Sequence, residues 1–224
     1  MHSVAAESTN IVDWNGASGN AAYARWSDFP ISQLSHHGRE CCDGARAWLR
    51  NMDFAQLNGS DLASGPRWIR KQYEWGPSSW PMHWCEALNS QVIDCGAHAA
   101  LAQEAFEARG LTAFQAQFVQ SYGSNAIAQW RTRWAAADVS DHWLGEGQIY
   151  HEGNALLVGG DEVKLWDGSA SCWLNPIQTS GYGGLIAVRI VTNGARSAPV
   201  RWGDHVVTPD VWQSLPASGA SPHI

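Results

Sequence analysis

Apolar positions recur at helical spacing over residues 38–54 (Cys41, Ala45, Trp48, Leu49, Met52), which predicts a helix. Gly65-Pro66 breaks the chain, and Pro66–Trp75 suits a short helix with proline in its first turn. Residues 76–93 are rich in Trp and Pro and read as irregular. From Asp94 the pattern becomes helical again through Cys95, an alanine-rich run, and Arg109-Gly110 as the stop. Period-two alternation then replaces the helical period. Strands are expected at 112–119, 148–158, 162–167 and 185–191, with a Ser124-capped helix over 124–137 between the first two. A turn at Gly159-Gly160-Asp161 joins the middle pair. Residues 1–10 and 216–224 read as flexible ends, and 11–30 as an extended segment with turn signals.

Helices first and strands afterwards imply an α+β domain rather than alternating βαβ units. A length of 224 residues fits a single domain with one substantial core. The hydrophobic share of 45% marks an ordinary globular chain, and no run of about 18 apolar residues suggests a membrane span. Met1–Glu7 has no basic region leading into an apolar stretch, so no secretion signal is read there. A net charge of −7 with 14 Lys+Arg argues against nucleic acid or an anionic membrane as partner. Fourteen tryptophans are the unusual feature, and they must fill core and line a pocket. Five cysteines without a framework spacing imply a reducing compartment, mostly free thiols and a cytoplasmic location.

The thiol at position 95 changes the picture. Asp94 is a good N-cap, so Cys95 stands in the first turn of its helix, facing unpaired amides and the positive end of the dipole. Both favour thiolate, the nucleophilic form, while the neighbouring Asp94 charge opposes it. A second group is therefore needed to activate the thiol. If the 159–161 turn has three residues, Val158 faces Glu162 and His151 faces Ser169. Asp167 is then the diagonal neighbour of His151 on one face, shared with Ile149, Ala155, Leu157, Val163 and Leu165. A His and an Asp meeting on an inward sheet face form the base and orienter of a nucleophilic triad. The Cys95 helix would have to pack on that face.

A cysteine at a helix head, an alanine-rich helix ending in glycine and then a strand, over Asp94 to Gln117, resembles the core of transglutaminase-like, papain-type cysteine enzymes. Val163-Lys164-Leu165-Trp166-Asp167-Gly168-Ser169 is similar to that family's terminal Asp motif. The resemblance covers roughly residues 70–190, as the catalytic core, and implies Cys95 as nucleophile, His151 as base and Asp167 as orienter. Two departures stand out: Glu152-Gly153-Asn154 replaces the usual Trp two residues after the His, and Gly168 replaces the common Pro after the Asp. Arylamine N-acetyltransferases share the triad order, but their Arg-Gly-Gly before the Cys is absent.

What the resemblance implies is acyl transfer or hydrolysis at an amide or thioester through a thioester intermediate. The acyl substrate would be a small molecule or peptide, with an acyl or peptidyl carrier protein as a candidate donor, as in amide-forming enzymes of natural-product biosynthesis. The Cys95 amide is one oxyanion donor; Gln91, Trp80, Trp84 and Asn89 are side-chain candidates, with Gln91 first. Three readings compete with this one. His98, three residues after Cys95, is an alternative partner for the thiol that lacks an evident orienting acid. The other two are a non-catalytic binding module of the same fold with a Trp-lined pocket, and a cyclase or isomerase using Cys and His as acid and base. No cofactor and no metal are expected: His36-His37 with Cys41-Cys42 matches no standard tetrahedral spacing. His142 reads as a turn residue, and Cys85 and Cys172 as core or pocket thiols.

Overall fold

The computed structural model describes residues 31–35, 41–56, 65–76, 78, 82–121, 125, 128–129, 132, 143–145, 148–176 and 184–215. The expectations for residues 1–30, His36-His37, His142, Trp80 and the tail after Pro216 lie outside those residues; of the helix expected over 124–137, the described residues 125, 128–129 and 132 are helical. In chain order the elements are α1 (Cys41–Gln56), α2 (Arg67–Gln72), β1 (Glu74–Trp75), α3 (Trp84–Asn89), β2 (Val92–Ile93), α4 (Cys95–Ala108), β3 (Ala113–Ser121), β4 (Trp143–Gly145), β5 (Gln148–Gly159), β6 (Glu162–Asp167), β7 (Cys172–Trp173), β8 (Gly184–Val191), β9 (Val200–Trp202), β10 (His205–Val207) and β11 (Gln213–Ser214). The class is α+β. Two compact units share the chain: Ile31–Gln115 with Glu152–Leu174, and Met1–Pro30 with Ala116–His151 and Asn175–Ile224.

The helical unit is organised around α4. Five buried alanines (Ala97, Ala99, Ala100, Ala102, Ala105) give it a small-residue surface, so neighbours approach closely. Leu101 and Phe106 pack into one cluster with Leu49 of α1, Trp68 and Ile69 of α2, Ile93, Leu156 and Trp166. Phe106, Trp166 and Trp173 make mutual ring contacts, with Trp166 and Trp173 centroids 5.0 Å apart. Part of the tryptophan excess is thus core. Asp94 caps α4 by accepting from the Ala97 amide at 2.9 Å, and Gly110 takes φ +77° just past its end, as its sequence signals demand.

Two local expectations are corrected. The helix read over Pro66–Trp75 stops at Gln72, because Tyr73 is extended and Glu74–Trp75 pair in parallel with Val92–Ile93. Tertiary pairing overrides local propensity there. The stretch 76–93 is also more regular than its composition suggests: α3 forms within it, with the Glu86 carboxylate accepting from the His83 amide at 2.9 Å. Burial pushes the Tyr73 phenol up to about 12.

The β5–β6 hairpin has the expected register, with Asn154 opposite Trp166, Ala155 opposite Leu165 and Leu157 opposite Val163. The turn that delivers it differs. Gly159 pairs with Glu162, leaving a two-residue turn at Gly160-Asp161, and an irregularity between Leu157 and Gly159 restores the phase. Gly160 takes φ +53° in that turn.

The second unit is mainly strands. β8 pairs antiparallel with β11, and β9 with β10 through a turn containing Gly203. Phe118, Val188, Ile190, Trp202 and Trp212 are buried. Asp210 closes a loop by accepting from the amides of Thr192, Asn193 and Gly194 and from the Thr192 hydroxyl. Strands β9, β10 and β11 were not foreseen, because each has three residues or fewer.

Cys85 is disulfide-bonded rather than a core or pocket thiol, while Cys95 and Cys172 are in no disulfide. Among the described residues, no helix is long and apolar enough to cross a membrane.

Candidate functional site

Cys95 is the first residue of α4, buried, and carries a thiol rather than a disulfide. Its sequence neighbours explain the placement. Strand β2 delivers the chain to Asp94, the Asp94 carboxylate takes the Ala97 amide, and the helix begins at the thiol. The Asp94 amide donates to the Ser78 hydroxyl oxygen at 3.3 Å. Ser78, Ser32 and Glu152 bring polar groups to this helix head, whereas Leu101 and Phe106 further along it join the apolar cluster.

Three side chains build that polar setting. Glu152, on β5, is buried and accepts from the Ser32 amide at 3.2 Å and from the Ser32 hydroxyl at 3.2 Å. Gln115 donates to the Ser32 carbonyl at 2.8 Å. The segment Ile31–Ser35 continues to Ser35, whose amide donates to the Met82 carbonyl and whose carbonyl accepts from Trp84. This strap crosses α4 at Gly96. A Cβ there would stand 2.4 Å from the Ser32 Cβ and Oγ and 3.0 Å from Glu152 Oε2, so only glycine fits beside Cys95 without displacing the strap.

α4 lies on one face of the β5–β6 hairpin. Asn154 Nδ2 donates to the Ala99 carbonyl at 2.9 Å, Trp166 meets Phe106, and Gly168 sits against His98. Strand alternation gives Gly153, Ala155, Leu165 and Asp167 the other face. This corrects the expectation that the Cys95 helix covers the face carrying Asp167. Asp167 is buried, and its Oδ1 accepts from the Ala170 amide at 3.0 Å, holding the turn after β6. His98, on α4 itself, is fully buried.

His151 belongs to the other unit, where it is buried and its ring lies 6.4 Å from that of Phe118. Tyr150, its neighbour, accepts from Gln117 Nε2 at 2.7 Å. Of the side-chain oxyanion candidates, Gln91 and Asn89 are exposed, and Trp84 is buried with the Arg46 guanidinium 5.4 Å above its ring. Trp80 lies outside the described residues. No group of His, Cys, Asp or Glu among the described residues is arranged to hold a metal.

The residues that sequence reasoning passed over are Glu152, Asn154 and Ser32. Glu152 and Asn154 were noted as departures from a family motif. Their signal was available: two polar side chains two apart, on a strand with apolar flanks, must find partners if they are buried. Ser32 carried no such signal. No family model, no curated protein and no solved structure matches the chain.

Proposed function

We propose that the chain is a cysteine-dependent acyltransferase or hydrolase with Cys95 as nucleophile. The observation that supports this best is the buried thiol in the first turn of α4, at a helix head where Asp94, Ser32 and Glu152 gather. The Cys95 sulfur attacks an amide or thioester carbonyl, forming a C–S bond, and an imidazole takes the thiol proton. The C–N or C–S bond of the donor then breaks as the imidazolium returns that proton to the leaving group. An amine or water finally releases the acyl group. The resemblance assigns the base to His151 and its orientation to Asp167, although by strand alternation both belong to the face opposite the one that α4 covers. An oxyanion is stabilised by the Cys95 amide. Peptidyl or small-molecule acyl donors, including carrier-bound thioesters, fit this chemistry, and amide-forming tailoring of natural products is the proposed setting.

A second assignment of the base rests on a specific observation: His98 lies on the same helix, one turn from Cys95, and is fully buried with it. Iodoacetamide alkylation of Cys95 against pH, read by peptide mass, separates the two. The proposal expects labelling well below the ordinary thiol pKa of about 8.5. It also expects His151→Ala to slow labelling at neutral pH at least tenfold, and Asp167→Asn to slow it less. Slowing by His98→Ala alone transfers the base role to His98. If Cys95 labels with the profile of an ordinary thiol in all four proteins, thiolate catalysis is overturned. An acyl-enzyme mass formed from a carrier-bound thioester and not from a peptide would identify the donor; the reverse excludes carrier dependence.

A further inference from the structure

Glu152 is a buried carboxylate that the acyl-transfer chemistry above does not use. It sits immediately after His151 in the chain, on the strand face that α4 covers. Its oxygens accept from one residue 120 positions away, Ser32, through the amide to both oxygens (3.2 and 3.3 Å) and through the hydroxyl to Oε1 (3.2 Å). Oε2 also looks at the second residue of α4, as the 3.0 Å approach to a Cβ on Gly96 shows. One carboxylate therefore touches both the Ile31–Ser35 strap and the helix turn that begins with Cys95.

We propose that Glu152 is a positioning residue for Cys95: it ties the Ile31–Ser35 strap across the first turn of α4, fixing what borders the thiol and placing a negative charge beside it. The inference rests on Cys95 being the reactive thiol. Three observations converge on it. The Gly96 surface has no room for a methyl group under the strap. The strap is fastened at both ends, by Glu152 and Gln115 at Ser32 and by Met82 and Trp84 at Ser35. A carboxylate in this position is sequestered from water with the thiol, so each group feels the charge of the other more strongly than at the surface. Along the chain the titratable groups nearest Cys95 are Asp94 and His98; further along, α4 carries Glu104 and Glu107, and β6 carries Glu162, Lys164 and Asp167, whose Oδ1 accepts from Ala170. Arg46 and Arg50 meet α4 at Glu104, about two and a half turns further along.

The test measures the rate and the pH midpoint of Cys95 alkylation in wild type, Glu152→Gln, Glu152→Ala and Ser32→Ala, with melting temperatures taken alongside. Glutamine keeps the shape and one acceptor while removing the charge, so the midpoint should fall by about one pH unit with the limiting rate within twofold of wild type. Ser32→Ala removes one of the strap's hydrogen bonds and leaves the carboxylate, so the limiting rate should rise about threefold with little change of midpoint. Glu152→Ala should show both effects. If Glu152→Ala fails to fold, the other two variants carry the test. An unchanged midpoint in Glu152→Gln together with an unchanged rate in Ser32→Ala overturns the inference. These outcomes are separable from failure of the acyl-transfer reading. That reading fails if Cys95 ignores both imidazoles, whether or not the Glu152 variants move its midpoint.

Discussion

The two halves of α4 each bring a buried glutamate into play, and they do so by opposite means. Near the end of the helix, Glu104 is 4% exposed and lies against two guanidinium groups of α1, with Arg46 Nη2 at 2.7 Å and Arg50 Nε in still closer contact. Its charge is answered by charge, and the result pins one helix to another. At the head, Glu152 reaches in from β5 and holds the amide and hydroxyl of a strap over Gly96, the residue after Cys95. One glutamate closes an ion-paired seam between helices; the other holds a strap over the first turn of α4. Equal burial does not mean equal purpose. What distinguishes the two is the kind of partner each has and what lies beyond it.

The largest expected effect breaks the first half of that comparison. Glu104→Ala strands two arginines at a helix interface and leaves a small void. Losing one partner of a fully buried pair costs 3–5 kcal/mol, but Arg46 and Arg50 are 31% and 49% exposed and can turn to water. A loss of about 2 kcal/mol in urea unfolding is expected, with the Cys95 alkylation profile unchanged. A shifted profile would mean that the two halves of α4 are coupled, and the contrast drawn between them would collapse.

The halves also differ in how far the sequence reveals them. Asp94, the alanine run and Gly110 announce α4 by local signals, and the structure follows them. The hairpin register was legible because apolar alternation fixes phase more firmly than the turn does: a two-residue turn replaced the expected three, and the irregularity next to Val158 absorbed the difference. The face covered by α4 was not legible. Both faces of β5 are buried between Glu152 and Leu156, so alternation carried no preference for one side. The Glu152–Ser32 contact spans 120 positions, beyond any local pattern. Nor could cysteine spacing show that Cys85 is in a disulfide.

The head of the helix is probed next by Gly96→Ala, whose sign is informative. In a helix, alanine is favoured over glycine by about 1 kcal/mol, so an unobstructed site would gain stability. The new methyl would meet the Ser32 side chain at 2.4 Å, tighter than any ordinary contact. Overpacking of this kind costs about 1–3 kcal/mol, giving a net loss of about 1 kcal/mol or a lifted strap. Thermal melting reads the first outcome, and faster Cys95 alkylation the second. A more stable variant with unaltered alkylation would show that nothing crosses α4 at Gly96, and the proposal for Glu152 would fall with it.

The smallest effect sharpens the comparison with a third carboxylate, in the other unit. Like Glu152, Asp210 accepts from backbone amides and a hydroxyl, yet its partners Thr192, Asn193 and Gly194 are consecutive residues of a single loop. Burial pushes its pKa up, but the Thr192 hydroxyl and the amides of Gly194, Thr192 and Asn193 outweigh it and hold the group below its usual value of 3.8. Its folded pKa is thus the lower one. The stability it contributes is full above the unfolded-state value of about 3.9 and is lost as pH falls through the folded value. Asp210→Asn should therefore lower the melting temperature at pH 6–7 by a few degrees and bring it close to wild type at the acid end, near pH 2. Cys95 alkylation should be untouched throughout, because this carboxylate closes its own loop. If Asp210→Asn matched wild type at neutral pH and differed from it only in acid, the bonding of Asp210 would contribute nothing to the fold. Hydrogen bonds to backbone amides would then not be what makes a carboxylate valuable here, and the weight placed on the same bonds at Glu152 would have to move to its charge.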